Sequence, residues 1–262
     1  MIELQMFNKP LPPHYCKTLV SGSALVNADC FDIFPYIKDK SVNLILADLP
    51  YGTTACKWDT IIPSDKLWEQ YKRIIKDNGA IVLFGAEPFS SLLRVSNLDM
   101  YKYDWIWEKS RPIGFLNVKK MPLKSIEIIS VFYKKLPTYN PQNVIKIDKK
   151  RVNDNSKNGN NKTGLSGHNG GKMKGDYIQE YTNYPKQILN FASERGLHPT
   201  QKPKELMKYL ISTYTDENDV VLDNTMGSGT TCLASKELNR FFVGIEKEKQ
   251  YYDIAVSRVC GS

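Results

Sequence analysis

The sequence lacks the features that mark several large classes of protein. Its longest uninterrupted apolar run, from Ala80 to Ala86, is about seven residues, far shorter than a helical membrane span. It opens without a charged segment followed by an apolar one, so a secretory leader is not expected. Its five cysteines form no Cys-x-x-Cys pair, a pattern that favours reduced thiols over disulfides or zinc ligands. These absences predict a cytoplasmic protein with no membrane anchor and no metal site.

Positive charge is in excess and unevenly distributed. Lys and Arg number 36 against 28 Asp and Glu, which gives a formal net charge of +8. Such a charge attracts polyanions, and nucleic acid is the first candidate. Residues 148–176 are rich in Asn, Gly and Lys and have almost no large apolar side chains, so they cannot form a core by themselves. This segment is predicted to be either a solvated surface loop or a basic arm that binds an anionic surface.

Predicted strands and helices alternate along the rest of the chain. The strands are expected at 25–29, 42–47, 80–84, 103–107, 126–133, 219–223 and 241–245, and the helices at 31–38, 65–76, 88–95, 201–214, 229–238 and 248–259. Asn78 and Gly79 are expected to end the second helix. This alternation predicts an α/β fold whose doubly wound, mostly parallel sheet is covered by helices on both faces.

The stretch "LILADLPYG" (44–52) is the first candidate site. A predicted buried strand ends there on Asp48 and continues into Leu49, Pro50 and Tyr51, with no helix signal to receive the chain. Pro50 fixes the backbone φ angle of the turn, and Tyr51 offers a flat aromatic face. A carboxylate beside an aromatic ring at a strand end indicates a functional site.

The stretch "VVLDNTMGSGTT" (220–231) is the second candidate site. A predicted strand ends on Asp223, passes through Gly227 and Gly229, and enters a helix at Thr230. Glycines at such a turn let a ligand approach the backbone at the helix N-terminus. The next strand ends on Glu246, where nucleotide-binding folds place an acid that bonds the ribose. A purely structural turn followed by a solvated glutamate is the alternative.

The order of these two sites is unusual for a nucleotide-type fold. One predicted helix follows Glu246, so the remaining strands of a doubly wound sheet must come from the N-terminal half. The ligand-binding half is therefore written last and the half containing Asp48 first, which predicts a circular permutation.

Three ordered motifs now carry a resemblance: "DLPY" (48–51), "HPTQKP" (198–203) and "DNTMGSGTT" (223–231). In this order they resemble the permuted β-class of DNA amino-methyltransferases, which methylate adenine N6 or cytosine N4 with S-adenosylmethionine. The resemblance implies a circularly permuted, Rossmann-like methyltransferase fold with a seven-stranded-type sheet and a small variable basic insertion. It also implies one domain over 1–262, with a catalytic half at 14–136, a variable target-recognition segment at 137–195 and a cofactor-binding half at 196–262.

The resemblance also implies roles for individual residues. The catalytic motif is matched by Asp48, Leu49, Pro50 and Tyr51, with Leu49 in place of the family's first proline. The implied cofactor contacts are Asp29, Thr200, Lys202, Asp223, Gly227, Gly229, Thr230 and Glu246. The candidate DNA contacts are Arg111, Lys119, Lys120, Lys124, Lys149, Lys150 and Arg151.

The implied chemistry explains the first candidate site. An exocyclic amino nitrogen is a poor nucleophile, because its lone pair is delocalised into the ring. The Asp48 carboxylate and the Leu49 main-chain carbonyl would accept hydrogen bonds from its two N–H groups. These bonds would make the lone pair available. Tyr51 would stack on a base flipped out of double-stranded DNA, worth about 1–3 kcal/mol. Stacking needs only the ring, so the Tyr51 hydroxyl is expected to be dispensable.

The same residues bear on several alternative activities. Cytosine C5 methylation would need a cysteine after a proline, and deamination would need zinc signatures, and the sequence has neither. Asp48 favours adenine, because the family more often has serine there for cytosine N4, but cytosine N4 stays open. A catalytically silent DNA-binding module also stays open, since Leu49 and Thr225 depart from the family pattern. A homodimer, a cognate restriction endonuclease and a bacterial or phage source are further expectations.

Overall fold

The computed structural model describes residues 6–53, 59–153, 177–194, 196 and 201–261, with the backbone alone at 148–153 and 177–179. The chain forms two compact units. The larger consists of Met1–Asn140 and Gln187–Ser262, and the smaller is Pro141–Lys186.

A nine-stranded sheet organises the larger unit. In chain order, the strands of the protein are β1 (Cys16–Val20), β2 (Ser23–Asn27), β3 (Val42–Asp48), β4 (Ile75–Gly85), β5 (Tyr101–Ile113), β6 (Lys124–Phe132), β7 (Ile145–Asn153), β8 (Tyr177–Thr182), β9 (Ile188–Phe191), β10 (Val220–Asp223) and β11 (Phe241–Glu246). The order across the large sheet is β1-β2-β11-β10-β3-β4-β6-β5-β9. β10 and β11, which come late in the chain, therefore lie between β2 and β3, as a circular permutation requires.

The strand directions define one functional edge. β2, β11, β10, β3 and β4 are mutually parallel, so their carboxyl ends lie together along what we call the carboxyl edge. β1 and β6 run antiparallel to their neighbours, and β9 pairs parallel with β5. The doubly wound α/β class is confirmed, with a nine-stranded rather than a seven-stranded sheet.

In the described part of the chain, six α-helices accompany these strands: α1 (Cys30–Ile33), α2 (Ser64–Ile74), α3 (Phe89–Val95), α4 (Lys204–Tyr214), α5 (Thr230–Glu237) and α6 (Lys249–Cys260). The helices cover both faces of the sheet. Each face has its own core, because alternate side chains of a strand point to opposite sides. On β3, Ile45 packs in one core cluster with Tyr71 of α2, while Leu44 packs in another with Leu210 of α4. Within the described residues, no helix has the length and apolarity needed to cross a bilayer.

The junction between α2 and β4 differs from the prediction. α2 ends at Ile74, and Asn78 and Gly79, expected to stop the helix, belong to the strand that follows directly. A Cβ atom on Gly79 would lie 2.8 Å from the backbone oxygen of Asn43, so only glycine fits beside β3 at this point. The pairing of the two strands is irregular here, because Val42 faces Ile75 and Leu44 already faces Ala80.

β5 and β6 form a long antiparallel hairpin that the sequence predicted only as two short strands. Trp107 pairs with Glu127, and after an irregularity Ile113 pairs with Lys124. The β5–β6 connection lies at the same end of the sheet as the carboxyl edge, because β6 runs antiparallel to β4. The hairpin therefore extends beyond that edge.

The smaller unit contains the antiparallel strands β7 and β8, which pair from Ile145 with Thr182 to Asn153 with Tyr177. Asn183 donates a hydrogen bond to the backbone oxygen of Asn143 at 2.8 Å. The basic segment 148–176 lies outside the described residues from 154 onward, and the side chains of Lys149, Lys150 and Arg151 are not described.

Candidate active site

Four carboxylates follow the ends of four neighbouring strands at the carboxyl edge. In sheet order they are Asp29 after β2, Glu246 on β11, Asp223 on β10 and Asp48 on β3. Neighbouring strands lie about 4.8 Å apart, so Asp48 and Glu246, two strands apart, are separated by roughly 10 Å along the edge. The structure therefore brings the two predicted half-sites onto one edge.

Asp48 has a partner on each of its carboxylate oxygens. The Tyr51 hydroxyl donates to Oδ1 at 2.6 Å, and the Lys202 ammonium donates to Oδ2 at 2.6 Å. The Lys202 side chain, which precedes α4, is only 7% exposed. A carboxylate oxygen has two lone pairs, so each oxygen of Asp48 can still accept another hydrogen bond. Lys202, predicted among the cofactor contacts, lies against Asp48, the carboxylate of the predicted catalytic motif.

A buried carboxylate, Glu127 on β6, joins this group. Its Oε1 accepts a hydrogen bond from the Lys202 ammonium at 2.9 Å and lies 2.8 Å from the Tyr51 hydroxyl oxygen, whose single hydrogen is shared between Glu127 and Asp48. Its Oε2 lies 2.6 Å from the Lys109 ammonium on β5. Sequence analysis missed Glu127 and Lys109; the available signal was a single acidic residue within an apolar strand. We call Asp48, Tyr51, Lys109, Glu127 and Lys202 the carboxylate–lysine cluster.

Opposite charges balance within this cluster. Burial raises the pKa of Asp48, and the Lys202 ammonium opposes that effect. Burial also acts to raise the pKa of Glu127, but Lys202 and Lys109 outweigh it and lower the pKa to about 2. Burial acts to lower the pKa of Lys202, and the two carboxylates outweigh it and raise the pKa. Buried charges persist when they are paired in this way, and removing one partner is costly.

The Tyr51 ring is anchored at both its face and its hydroxyl. Its face stacks on Phe89 of α3, with ring centroids 5.0 Å apart and an interplanar angle of 26°. Burial and the nearby carboxylates raise the pKa of Tyr51 well above its usual value, so the hydroxyl keeps its proton at neutral pH. The hydroxyl thus links Asp48 to Glu127, a contact that the stacking argument did not anticipate.

Replacing Tyr51 by phenylalanine is therefore expected to slow the methyl transfer that the sequence predicts by at least about tenfold, because a hydrogen bond to a charged group is worth about 1.5–3 kcal/mol. Single-turnover rates of Tyr51→Phe and Tyr51→Ala would be compared with the wild-type rate, and the alanine variant should be the slower. A phenylalanine variant with the full wild-type rate would show that the hydroxyl plays no part.

Thr225, which departs from the family pattern, ties the two half-sites together. Its hydroxyl donates to the backbone oxygen of Asp48 at 3.0 Å, and its backbone N–H donates to Asp223 Oδ1 at 3.1 Å. The departure at this position thus has a structural function, because it fixes the end of β3 to the end of β10. The Leu49 side chain is buried in the core, so the substituted position of the catalytic motif is also firmly packed.

The glycine turn between β10 and α5 is held by Glu246. The backbone N–H of Gly227, which has a φ of +51°, donates to Glu246 Oε2 at 2.9 Å, and that of Glu248 donates to Oε1 at 2.8 Å. Gly229 has a φ of +75°, and a Cβ atom there would lie 2.8 Å from Cβ of Ala255. The turn therefore depends on glycine for its backbone angles and for close packing against α6.

Arg258 on α6 also holds the glycine turn by hydrogen bonds. Its guanidinium donates to the Ser228 backbone oxygen at 2.6 Å and to the Thr230 hydroxyl at 3.1 Å. Thr230 begins α5 and is buried. These hydrogen bonds fix the turn to α6.

The donor set at this edge fits a cofactor that carries ribose hydroxyls and positive charge. Asp223 and Glu246 are carboxylates on adjacent strands, and Glu246 keeps lone pairs free to accept ribose hydroxyls. Such carboxylates also favour cationic groups, and the glycine turn admits a close ligand. S-Adenosylmethionine has this combination of groups.

Asp223 should make the stability of the protein depend on pH. Burial, as the main cause, raises its pKa from 3.8 to about 7. The folded chain therefore holds this proton over a pH range in which the unfolded chain has lost it, and stability falls as pH rises through that range. The Asp223→Asn variant cannot lose this proton. Its stability relative to the wild type should therefore be higher at about pH 8 than at about pH 5.

Urea unfolding at both pH values measures this difference. The exposed Asp65→Asn serves as the control and should show no comparable change between the two pH values. An equal stability difference for Asp223→Asn at both pH values would contradict the expected titration.

The other predicted site residues fall in different surroundings. Asp29 accepts a hydrogen bond from the Phe31 backbone as the N-cap of α1 and lies 3.2 Å from the Lys247 ammonium. Thr200 lies outside the described residues. The four candidate DNA contacts on the β5–β6 hairpin, Arg111, Lys119, Lys120 and Lys124, are all exposed.

The permuted α/β sheet, with its glycine turn and its carboxylates along one edge, agrees with the Rossmann-like methyltransferase fold that the resemblance implies. The family model described as DNA methylase, for N6 and N4 methyltransferases, matches residues 42–257, and the chain belongs to this family. The type II methyltransferase M.BglII of Bacillus subtilis is 28% identical over 277 residues, which cover 97% of this chain and 74% of that protein.

Two solved structures are similar to this one. The crystal structure of the M1.HpyAVI–SAM complex has a TM-score of 0.60 and 27% identity, covering 89% of this chain and 98% of that one. The PvuII DNA methyltransferase, described as cytosine-N4-specific, has a TM-score of 0.64 and 14% identity, covering 90% and 86%. The protein is a DNA methyltransferase whose cofactor is S-adenosylmethionine, and the predicted family, fold and cofactor are confirmed.

Proposed function

We propose that this DNA methyltransferase modifies the N6 amino group of an adenine flipped out of double-stranded DNA. The observation that carries the proposal is Asp48, whose carboxylate is held by Lys202 and Tyr51 at the end of β3. Asp48 also matches the family motif in which aspartate is the more common residue for adenine.

Asp48 and Leu49 prepare the base for reaction. An Asp48 oxygen accepts a hydrogen bond from one N–H of the amino group, and the Leu49 backbone carbonyl accepts a hydrogen bond from the other. These two bonds draw the nitrogen toward tetrahedral geometry and make its lone pair available. S-Adenosylmethionine, when bound, would supply the methyl group and keep the electron pair of the broken sulfur–carbon bond as a neutral thioether. The Asp48 carboxylate would take the proton that the methylated amino group releases. Holding the nucleophile and the methyl donor in line contributes about 7–11 kcal/mol.

Glu127 and Lys202 act on Asp48 rather than on the base. Lys202 bridges the two carboxylates, with 2.6 Å to Asp48 and 2.9 Å to Glu127, so the Asp48 carboxylate is oriented before substrate binds. Preorganised charges of this kind cost no rearrangement during the reaction. We assign Glu127, Lys109 and Lys202 as positioning residues.

The proposed cofactor site follows the carboxyl edge away from Asp48. Glu246 accepts the ribose hydroxyls, Asp223 and the turn at Gly227 and Gly229 contact the rest of the cofactor, and Asp29 lies toward its adenine ring. The separation of roughly 10 Å between Glu246 and Asp48 leaves room for the cofactor to reach from one to the other.

Cytosine N4 is the second candidate substrate. The acceptor pair at Asp48 and Leu49 would serve its amino group by the same chemistry, and the PvuII relative shows that one fold accommodates a cytosine-N4-specific enzyme. The silent-module alternative is disfavoured by the cluster, in which the buried charges of Lys202 and Glu127 contact the half-buried ones of Asp48 and Lys109, because burying charges is costly for a purely structural role.

The test is methyl transfer from labelled S-adenosylmethionine to mixed-sequence duplex DNA, followed by nucleoside mass spectrometry. N6-methyladenine supports the proposal, and N4-methylcytosine overturns the base while keeping the mechanism. Bound cofactor with no labelled nucleoside would contradict the proposed activity on DNA. Sequencing of the modified DNA then gives the recognition site.

We further propose that the smaller unit, Pro141–Lys186, contributes to recognition of the DNA sequence. Its support is that these residues form a compact unit of their own and that the composition of 148–176 is basic. A cytoplasmic restriction–modification system with a cognate endonuclease is proposed from the type II relatives. A homodimer belongs to the same set of proposals.

A further inference from the structure

The turn of the β5–β6 hairpin exposes large apolar side chains. Leu116 is fully exposed, Phe115 is 64% exposed, and Val118 and Met121 are each about half exposed. Single exposed apolar residues are ordinary, but a contiguous group indicates a binding surface. We call Phe115, Leu116, Val118 and Met121 the apolar tip.

The tip has a defined conformation. Gly114 adopts a φ of +96°, which favours glycine, and starts a short 3₁₀ turn at Phe115–Asn117. Backbone hydrogen bonds run from Asn117 to the Gly114 oxygen at 2.9 Å and from Lys120 to the Asn117 oxygen at 2.8 Å. The apolar side chains are therefore presented by an ordered turn.

The surroundings of the apolar tip favour DNA as its partner. Residues 111–124 contain one arginine and three lysines and no acidic residue, and all four basic side chains are exposed. Phosphate groups are the complement of such a surface. A second copy of this basic protein would instead place like charges against one another.

The tip also lies at the correct end of the molecule. Glu127 belongs to the carboxylate–lysine cluster. The strand pair nearest the turn of the hairpin, Ile113 with Lys124, lies three residues before Glu127 on β6, on the side of the turn. At a strand rise of about 3.3 Å per residue, this pair is roughly 10 Å beyond Glu127. The tip therefore projects past the site at which a flipped base would be held.

We infer that Leu116, supported by Phe115, inserts into the duplex and occupies the space left by the flipped base. This inference rests on the proposed function. Removing a base from the stack costs a few kcal/mol, and apolar wedges inserted between base steps are a known way for proteins to stabilise unstacked DNA. The basic residues around the tip bind the phosphates on either side.

The test compares two duplexes that contain the methylation site determined for the wild-type enzyme. In one duplex the target base is paired, and in the other it lies opposite an abasic position, which lowers the cost of flipping. Leu116→Ala should methylate the paired duplex about tenfold more slowly than the wild type and the second duplex at nearly the wild-type rate. Phe115→Ala should show the same pattern to a smaller extent.

Leu136→Ala is the matched control, since this leucine is 76% exposed and lies outside the hairpin. It should methylate both duplexes at the wild-type rate. Equal slowing of Leu116→Ala on both duplexes, or no slowing on either, would overturn the inference. Loss of a dimer by Leu116→Ala in sedimentation, together with lost activity, would assign the tip to a second copy.

This experiment distinguishes a failure of the proposed function from a failure of the role inferred for the apolar tip. A wild-type enzyme that methylates no DNA overturns the proposed function. A wild-type enzyme that methylates DNA beside an unaffected Leu116→Ala variant overturns only the role of the tip. S-Adenosylmethionine binding confirms that each variant is folded.

Discussion

Replacing Asp48 by alanine is expected to reduce methyl transfer by at least about 100-fold while leaving S-adenosylmethionine binding nearly unchanged. The rate falls because the amino group loses its carboxylate acceptor. Binding should persist because the proposed cofactor contacts Glu246 and Asp223 lie on β11 and β10 rather than on β3, and the substitution leaves the Asp48 backbone bond to Thr225 in place. The variant should remain folded, since Lys202 keeps Glu127 as a partner at 2.9 Å. Single-turnover kinetics and calorimetric titration of the cofactor measure the two quantities.

Asp253→Ala is a suitable control for this substitution, because Asp253 is an exposed residue of α6 whose ionic partner is Lys249. It should leave both the rate and the cofactor affinity at wild-type values. If Asp48→Ala lost cofactor affinity instead of rate, Asp48 would belong to the cofactor site.

Replacing Glu127 by glutamine is expected to lower kcat about tenfold with little change in cofactor affinity. The wild-type carboxylate accepts hydrogen bonds from Tyr51, Lys109 and Lys202. A glutamine amide offers one oxygen and one NH₂ group, so at least one ammonium faces a donor instead of an acceptor. The resulting misplacement of Lys202 disturbs Asp48, and the buried mismatch costs about 1–3 kcal/mol of stability.

A pH series separates this role from a general loss of packing. The pKa of Glu127 is lowered from 4.5 to about 2 in the folded chain. Its stabilising effect is therefore complete above the unfolded value and is lost as pH falls from 4.5 toward 2. The stability gap between wild type and Glu127→Gln should be largest near pH 7 and should shrink by about pH 4.

Glu108→Gln, at an exposed position on β5, is the matched control and should change neither kcat nor the pH dependence. A stability gap for Glu127→Gln that stays constant with pH would show that the charge of Glu127 contributes nothing. A change in cofactor affinity larger than the change in kcat would place Glu127 in the cofactor site.

The sequence predicted the functional edge better than the borders of the sheet. β3, β10 and β11 are buried apolar runs that end on Asp48, Asp223 and Glu246, so pattern and chemistry coincided there. β1 has alternating exposed residues, and β9 has only four residues, so neither gave a strong apolar pattern. The direction of β5 against β6 depends on tertiary pairing, which periodicity does not report.

The candidate site was predicted in its parts but not in its contacts. Asp48 and Tyr51 were visible as a motif, whereas Glu127 joins them from a strand that lies across β4 in the sheet. Lys202 could be assigned to a motif but not to a partner, because the two residues of its ion pair are more than 150 positions apart. Contacts between residues so far apart in the chain can be predicted only once the strand order of the sheet is known.

The position of β10 and β11 inside the sheet also has a consequence for how the protein folds. Val243 pairs with Ala24 and Val221 with Leu44, partners that lie about 200 residues apart in the chain. On the ribosome, β2 and β3 each keep an unpaired edge until these late strands have been made, and such edges favour aggregation. Closing the sheet joins the strand that ends on Asp48 to the strands that end on Asp223 and Glu246. The two predicted half-sites therefore meet only after β10 and β11 have been made.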